Sequence, residues 1–306
     1  MISAQAAISR FRRDLTISAL LRGLLLAGAV GCVLSGAIGE GSGMNGALIL
    51  LGIGALWSVL GYRSIRGSRL AADSPLLIAS GRFDEAESRI DAALRSFSLF
   101  KPAKFISLHH LAVLRHAQRR WQESALLCRA LLNQRLGSLR GISKPSLLLL
   151  TDNLLRLGDL TGAYEALGHL YRRRLNLVEA LTLQQLQLEY LARIGSFGPM
   201  LADVKARIEL AELMPSAHAA RAQAFLSLGA LKCGRTDLHH WLRGRAELLC
   251  DPRTLVAERP VLAEIWPDVI PDQLSAAVAT TPEVKAVSAE AGPGAANPEV
   301  DPSTDR

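Results

Sequence analysis

"SGRFDEAESRIDAALRSF", residues 80–97, is the stretch whose reading decides the fold. Ser80-Gly81 ends whatever precedes it, since glycine just after a helical run is a stop signal. Beyond the turn, Ala86, Ile90, Ala93 and Leu94 recur at helical spacing, while Asp84, Glu85, Glu87, Arg89 and Asp91 fill the other side. A stripe built mostly of alanine buries too little apolar area to hold a core alone. The helix must belong to a closely packed set.

The rest of the set is written along the chain. After "GRFDEAESRIDAAL" (81–94) come "RRWQESALLCRALL" (119–132), "GDLTGAYEALGHLY" (158–171), "GSFGPMLADVKARI" (195–208) and "GRTDLHHWLRGRAE" (234–247), a period of 37 to 39 residues. The third position holds Phe83, Trp121, Leu160, Phe197 and Thr236, and the sixth Ala86, Ser124, Ala163, Met200 and His239. The fifth copy is the weakest. A helical segment precedes each turn from the second copy on, for example "FISLHHLAVLRHAQ" and "SLLLLTDNLLRL". In the first, Pro75 in "DSPLL" suits a first helical turn, with Asp73 or Ser74 as its cap. Units of this kind bury together what one unit cannot.

The glycine that ends the first helix, the aromatic residue two positions on and the small residue early in the second helix resemble the tetratricopeptide repeat family over roughly residues 70–250. The chain departs from the family in its longer period and in the long linkers "NQRLGSLRGISKPS" and "RRRLNLVEA". The resemblance implies an α-solenoid of about five helix pairs over residues 68–252, whose groove holds a protein partner. Family members that clamp a partner's terminal carboxylate use Lys and Asn at positions that here include His109, Val113, Leu148, Asp152, Gln185 and Glu189, so that clamp is missing. The family register also turns His116 inward with His109. The expected concave-face contacts are His109, Val113, His116, Asp152, Gln185 and Glu189.

The first seventy or so residues read differently. Gly23 to Gly39 and Gly46 to Tyr62 are uncharged runs of about seventeen residues each, near the short limit for a membrane span. They predict a two-helix transmembrane hairpin over residues 23–62, with the basic residues 1–22 ahead of it. Arg10, Arg12, Arg13 and Arg22 precede the first run, and Arg63, Arg66 and Arg69 follow the second, whereas the connecting loop has Glu40 and no basic residue. The positive-inside rule then puts both termini and the solenoid in the cytoplasm, as in a bacterial inner-membrane protein. A basic start followed by "AIG" at 37–39 also resembles a signal peptide, but the second apolar run argues for retention. Gly31, Ser35 and Gly39 lie four apart, a spacing that lets helices approach and could make a homo-oligomer.

Composition agrees with an all-α chain: 49% hydrophobic but only 5% aromatic, with few strand formers. The formal charge of +7 is spread in short clusters, without the aromatic-interleaved stripe of a nucleic-acid binder. Cys32, Cys128, Cys233 and Cys250 form no CxxC pair and read as reduced thiols. No Walker loop, GxGxxG, HExxH or GxSxG occurs, and the histidines lack acidic or thiol partners at metal-ligand spacing. No cofactor, metal or catalytic residue is expected. "RPVLAEIWPDVIPDQL" should cap the solenoid over residues 253–274, and residues 275–306 read as disordered. The expected function is a membrane-anchored interaction scaffold or adaptor that meets lipid through its hairpin. The alternative is an accessory subunit of a membrane-associated enzyme or of a transport or assembly complex.

Overall fold

The computed structural model describes residues 2–38, 43–96, 98, 101–134 and 140–269, and every regular element among them is helical. Two long helices come first, α1 (Ala4–Ile38) and α2 (Gly43–Arg69). Helix pairs follow: α3 (Ser74–Ala79) with α4 (Phe83–Arg95), α5 (Lys101–Ala117) with α6 (Trp121–Leu132), and α7 (Arg140–Leu157) with α8 (Leu160–Tyr171). Next, α9 (Leu177–Arg193) precedes the short α10 (Phe197–Leu201) and α11 (Val204–Glu212), and α12 (Ser216–Lys232) pairs with α13 (Thr236–Leu249). The chain closes with α14 (Pro252–Glu258) and two 3-10 turns, Pro260–Ile265 and Pro267–Val269. Gly39, the side chain of Ser35, the Glu40 loop and the expected tail lie outside the described residues.

The turn inside each pair is built one way. Gly81, Arg119, Gly158, Gly195 and Gly234 have left-handed backbone, with φ of 76°, 62°, 75°, 69° and 70°. The residue after each sends its N–H back to the carbonyl five residues earlier: Arg82 to Leu77, Arg120 to Arg115, Asp159 to Leu154, Ser196 to Leu191 and Arg235 to Ala230, at 2.8 to 2.9 Å. This Schellman closure needs the left-handed residue. Only the second turn fills it with a side chain that disfavours it. Arg119→Gly should therefore stabilise the protein by about 1 kcal/mol. Chemical denaturation would show the gain, and an unchanged or lower midpoint would contradict it.

Each second helix is pulled in by its small residue. Ala86, Ser124, Ala163 and Met200 are fully buried, and His239 nearly so. Ser124 Oγ donates to the carbonyl of Ala112 at 2.7 Å and accepts from Asn153 Nδ2 at 2.8 Å, tying α6 to α5 and α7. The fourth second helix is broken: the weak formers Gly198 and Pro199 sit in α10, and Asp203 (φ 51°) turns the chain before α11. Pro75 opens α3 as expected, but the Asp73 carboxylate pairs with Arg89 at 2.8 Å instead of capping the helix.

The start of α1 belongs to this helical core. Ala4, Ala7 and Phe11 are buried, and the Phe11 ring meets Phe105 edge-on at 5.2 Å. Arg115, wholly buried, forks onto Glu87 (3.1 and 2.9 Å) and donates to the carbonyl of Ile2 at 2.6 Å, while Glu87 accepts from the Ile2 N–H at 2.8 Å. The hydrogen bonds from Arg115 hold the Glu87 carboxyl below its ordinary value. Further along, Asp14 pairs with buried Lys104 at 2.8 Å, and Lys104 also donates to the carbonyl of Leu94. On α2, Ser64 and Ser98 share a 2.6 Å hydrogen bond. Both long helices therefore leave the domain beside Leu94, Ser98 and Lys104.

Past that point many apolar side chains are exposed, among them Leu20, Leu24 and Leu26 on α1 and Leu51, Val59 and Tyr62 on α2, although Leu25 is buried. The helix stretch Ala4–Gly31 is long and apolar enough to cross a membrane. The two helices touch where Gly28 faces Ile53, and the space above Gly31 is open.

Candidate functional site

The first helices of successive pairs line a groove with a cavity of about 560 Å³. His109, Val113 and His116 come from α5, Leu148, Leu149, Asp152 and Arg156 from α7, Gln185 and Leu186 from α9, and His218 and Arg221 from α12. Spacings of three and four residues along each helix put these side chains on one face. Five of the six residues expected from the sequence, His109, Val113, His116, Asp152 and Gln185, stand together on this wall. Glu189 lies on the same helix as Gln185 but is 1% exposed and locked in ion pairs.

A stretch expected from the sequence only as a cap also contributes to the groove. Glu258 and Arg259, at the end of α14, reach back over the first helices. Arg259 sets Nη2 2.5 Å from Asp152 Oδ1 and Nε 2.6 Å from Glu189 Oε2, a contact across 107 residues of chain with the former. Glu258 pairs with Arg221. The segment is anchored by Leu255, Val256, Leu262, Ile265 and Trp266, all buried, and the Trp266 indole donates to Glu247 at 2.7 Å.

A charge network runs under the groove floor. Asp152 Oδ2 receives Arg156 Nε at 3.2 Å and faces His116 Nε2 at 3.1 Å, and Glu189 Oε1 receives Arg193 at 2.9 Å. Burial alone would raise the Asp152 carboxyl, but Arg259, then Arg156 and His116, hold it below its ordinary value. Arg156 also lies 4.3 Å over the Trp121 ring. The histidines cross-link neighbouring helices: His109 to Ser146 at 2.9 Å, His116 to Asn153 at 2.8 Å and His218 to Gln185 at 2.9 Å. His109 is held by Ser146 and does not join His116 and Asp152, so no three-group acid–base cluster forms from these residues. No group of three or more His, Cys, Asp or Glu suited to a metal ion occurs among the described residues. Cys128 is buried, its thiol pushed up to about 12.

Burial, and then the neighbouring His110, push His109 down to about 4 from 6.5. A depressed folded value means that the fold favours neutral imidazole, so this contribution is present above pH 6.5 and is lost as pH falls toward 4. Burial lowers His116 and His218 as well, in the same direction. The share from His109 is about 3 kcal/mol. His109→Gln should therefore flatten the loss of stability between pH 6.5 and 4. Parallel pH curves for the two proteins in denaturant titrations would refute the assignment.

No family model matches the chain, and neither a curated protein nor a solved structure matches it.

Proposed function

We propose that the chain is a membrane-anchored scaffold or adaptor. In this reading α1 and α2 form a transmembrane hairpin, and the helix pairs from α3 to α13 are a tetratricopeptide-like solenoid on the cytoplasmic side, whose groove receives a protein partner. One observation carries it: α1 is a single helix whose first turns are core and whose later turns expose leucine and valine without cover. Exposed apolar surface on that scale asks for lipid or for another apolar helix. Arg12 and Arg13, ahead of the first apolar run, and Arg63 and Arg66, after the second, are exposed, in keeping with an inner-membrane protein whose termini are cytoplasmic. The open side of Gly31 is compatible with self-association of the hairpin. If the partner is an enzyme or a transport complex, the chain is its accessory subunit. Held in the plane of the membrane, the groove would meet its partner at raised effective concentration.

The test uses the full chain, because residues 2–11 are part of the core. A photoreactive residue at Val113, on the groove wall, is compared with one at Leu248, which is 87% exposed on α13. One dominant protein crosslinked from Val113 and not from Leu248 supports the reading. Capture equal from both positions, or from neither, overturns it.

A further inference from the structure

Three side chains lining the groove carry a buried hydrogen-bond donor without an acceptor: Arg221 at Nε, on a side chain 13% exposed, and Arg259 and Gln185, which are buried more deeply. Nη1 of Arg259 and Nε2 of Gln185 are buried and unpartnered, on side chains only 2% and 6% exposed. Both side chains line the 560 Å³ cavity. Buried donors are almost always satisfied, so such orphans on one wall point to an acceptor that comes from outside.

The charge around them agrees. Arg156, Arg193, Arg221 and Arg259 face Asp152, Glu189 and Glu258, which leaves one positive charge in excess, and Lys144 and Glu179 cancel each other at 3.1 Å. The acceptor should therefore carry one negative charge. The lining also has an apolar part, made by Val113, Pro145, Leu148, Leu149 and Leu186. The cavity volume suits a small molecule.

We propose that this cavity binds a small amphipathic monocarboxylate, its carboxylate received by Arg259 and Gln185 and its apolar body laid against Val113, Leu148 and Leu186. The inference deepens the groove reading above and rests on it in one respect, that the groove is open to a ligand.

The probe is 4-phenylbutanoate, titrated calorimetrically into the full chain in lipid nanodiscs, with empty nanodiscs subtracted. Saturable one-to-one binding is expected, at least tenfold tighter than for 4-phenylbutan-1-ol, with no binding of 4-phenylbutan-1-amine. Gln185→Leu removes one donor and should weaken binding at least fivefold. Val113→Phe fills the apolar end and should abolish binding. Arg259→Gln is avoided because it strips two buried carboxylates of a partner. If either variant fails to fold, the comparison of acid, alcohol and amine on the unaltered chain still decides. No binding of the acid, or equal binding of acid and alcohol, overturns the proposal. So does a free-terminus hexapeptide that displaces the probe and binds tenfold tighter, although the partner reading would then stand. Probe binding together with failed crosslinking at Val113 would do the reverse.

Discussion

Phe11→Ala should destabilise the helical domain by about 3–4 kcal/mol, as expected of a fully buried aromatic side chain. Phe11 is 1% exposed, and its ring stands edge-on to Phe105, itself 2% exposed, at 5.2 Å and 80°. Truncation loses the transfer of the ring from water, leaves a cavity that close-packed neighbours only partly fill, and removes the aromatic pair. Around the ring, Ile2 is stapled by Glu87 and Arg115, and Asp14 by Lys104, so the backbone cannot follow the lost side chain inward. Denaturant titration of the full chain in micelles, followed by circular dichroism, should show a lower midpoint with an unchanged slope. Leu24→Ala is the control: it removes as many apolar atoms as many core substitutions do, but from a side chain that is 70% exposed, and should leave the helical domain's stability within about 0.5 kcal/mol. If Phe11→Ala behaves like Leu24→Ala, α1 is not docked on the domain as described.

That docking was legible in principle. Ala4, Ala7, Phe11, Leu15 and Ser18 follow each other at three- and four-residue steps, the period of a buried helical stripe, and all are buried or half-buried. The arginines between them, Arg10, Arg12 and Arg13, draw the eye to membrane orientation, and small residues such as alanine give the stripe little weight on any hydropathy measure. The turns were the opposite case. Glycine at 81, 158, 195 and 234 announces a left-handed residue by its chemistry, and the arginine that takes the same conformation at 119 was found only because the spacing demanded a turn there. Helical class followed from composition, whereas the residues expected in the groove came from positions that the tetratricopeptide resemblance implies. The contribution of Arg259 to the groove could not follow from either. A charged side chain among prolines has no periodicity, and its partners lie on α7 and α9, one of them 107 residues away. Long-range pairing of charges is decided by tertiary packing, here by where the buried Trp266 and Leu262 anchor the segment.

The same contact gives the second large effect. Arg259→Ala should cost about 3 kcal/mol, because it leaves buried carboxylates short of a partner rather than because the ion pair itself is strong. Glu189 keeps Arg193 and Asp152 keeps Arg156 and His116, which holds the loss to the lower end of the range for a broken buried pair. Arg259→Lys keeps the charge but cannot fork to two carboxylates on different helices, and should cost about 1–2 kcal/mol. Removing both charges of one pair, Arg259→Met with Glu189→Gln, should cost less than the sum of the two single substitutions, a non-additivity that isolates the coupling. The pH dependence separates electrostatics from packing. Asp152 is held below its ordinary value of 3.8, first among the charges by Arg259, so its contribution is present above that value and lost as pH falls through the lowered one. Without Arg259 less of it remains to lose, and the stability gap between the unaltered chain and Arg259→Ala should narrow below pH 3.8. A gap of constant size from pH 7 down to pH 3 would mean that Arg259 acts through the packing of its stem alone.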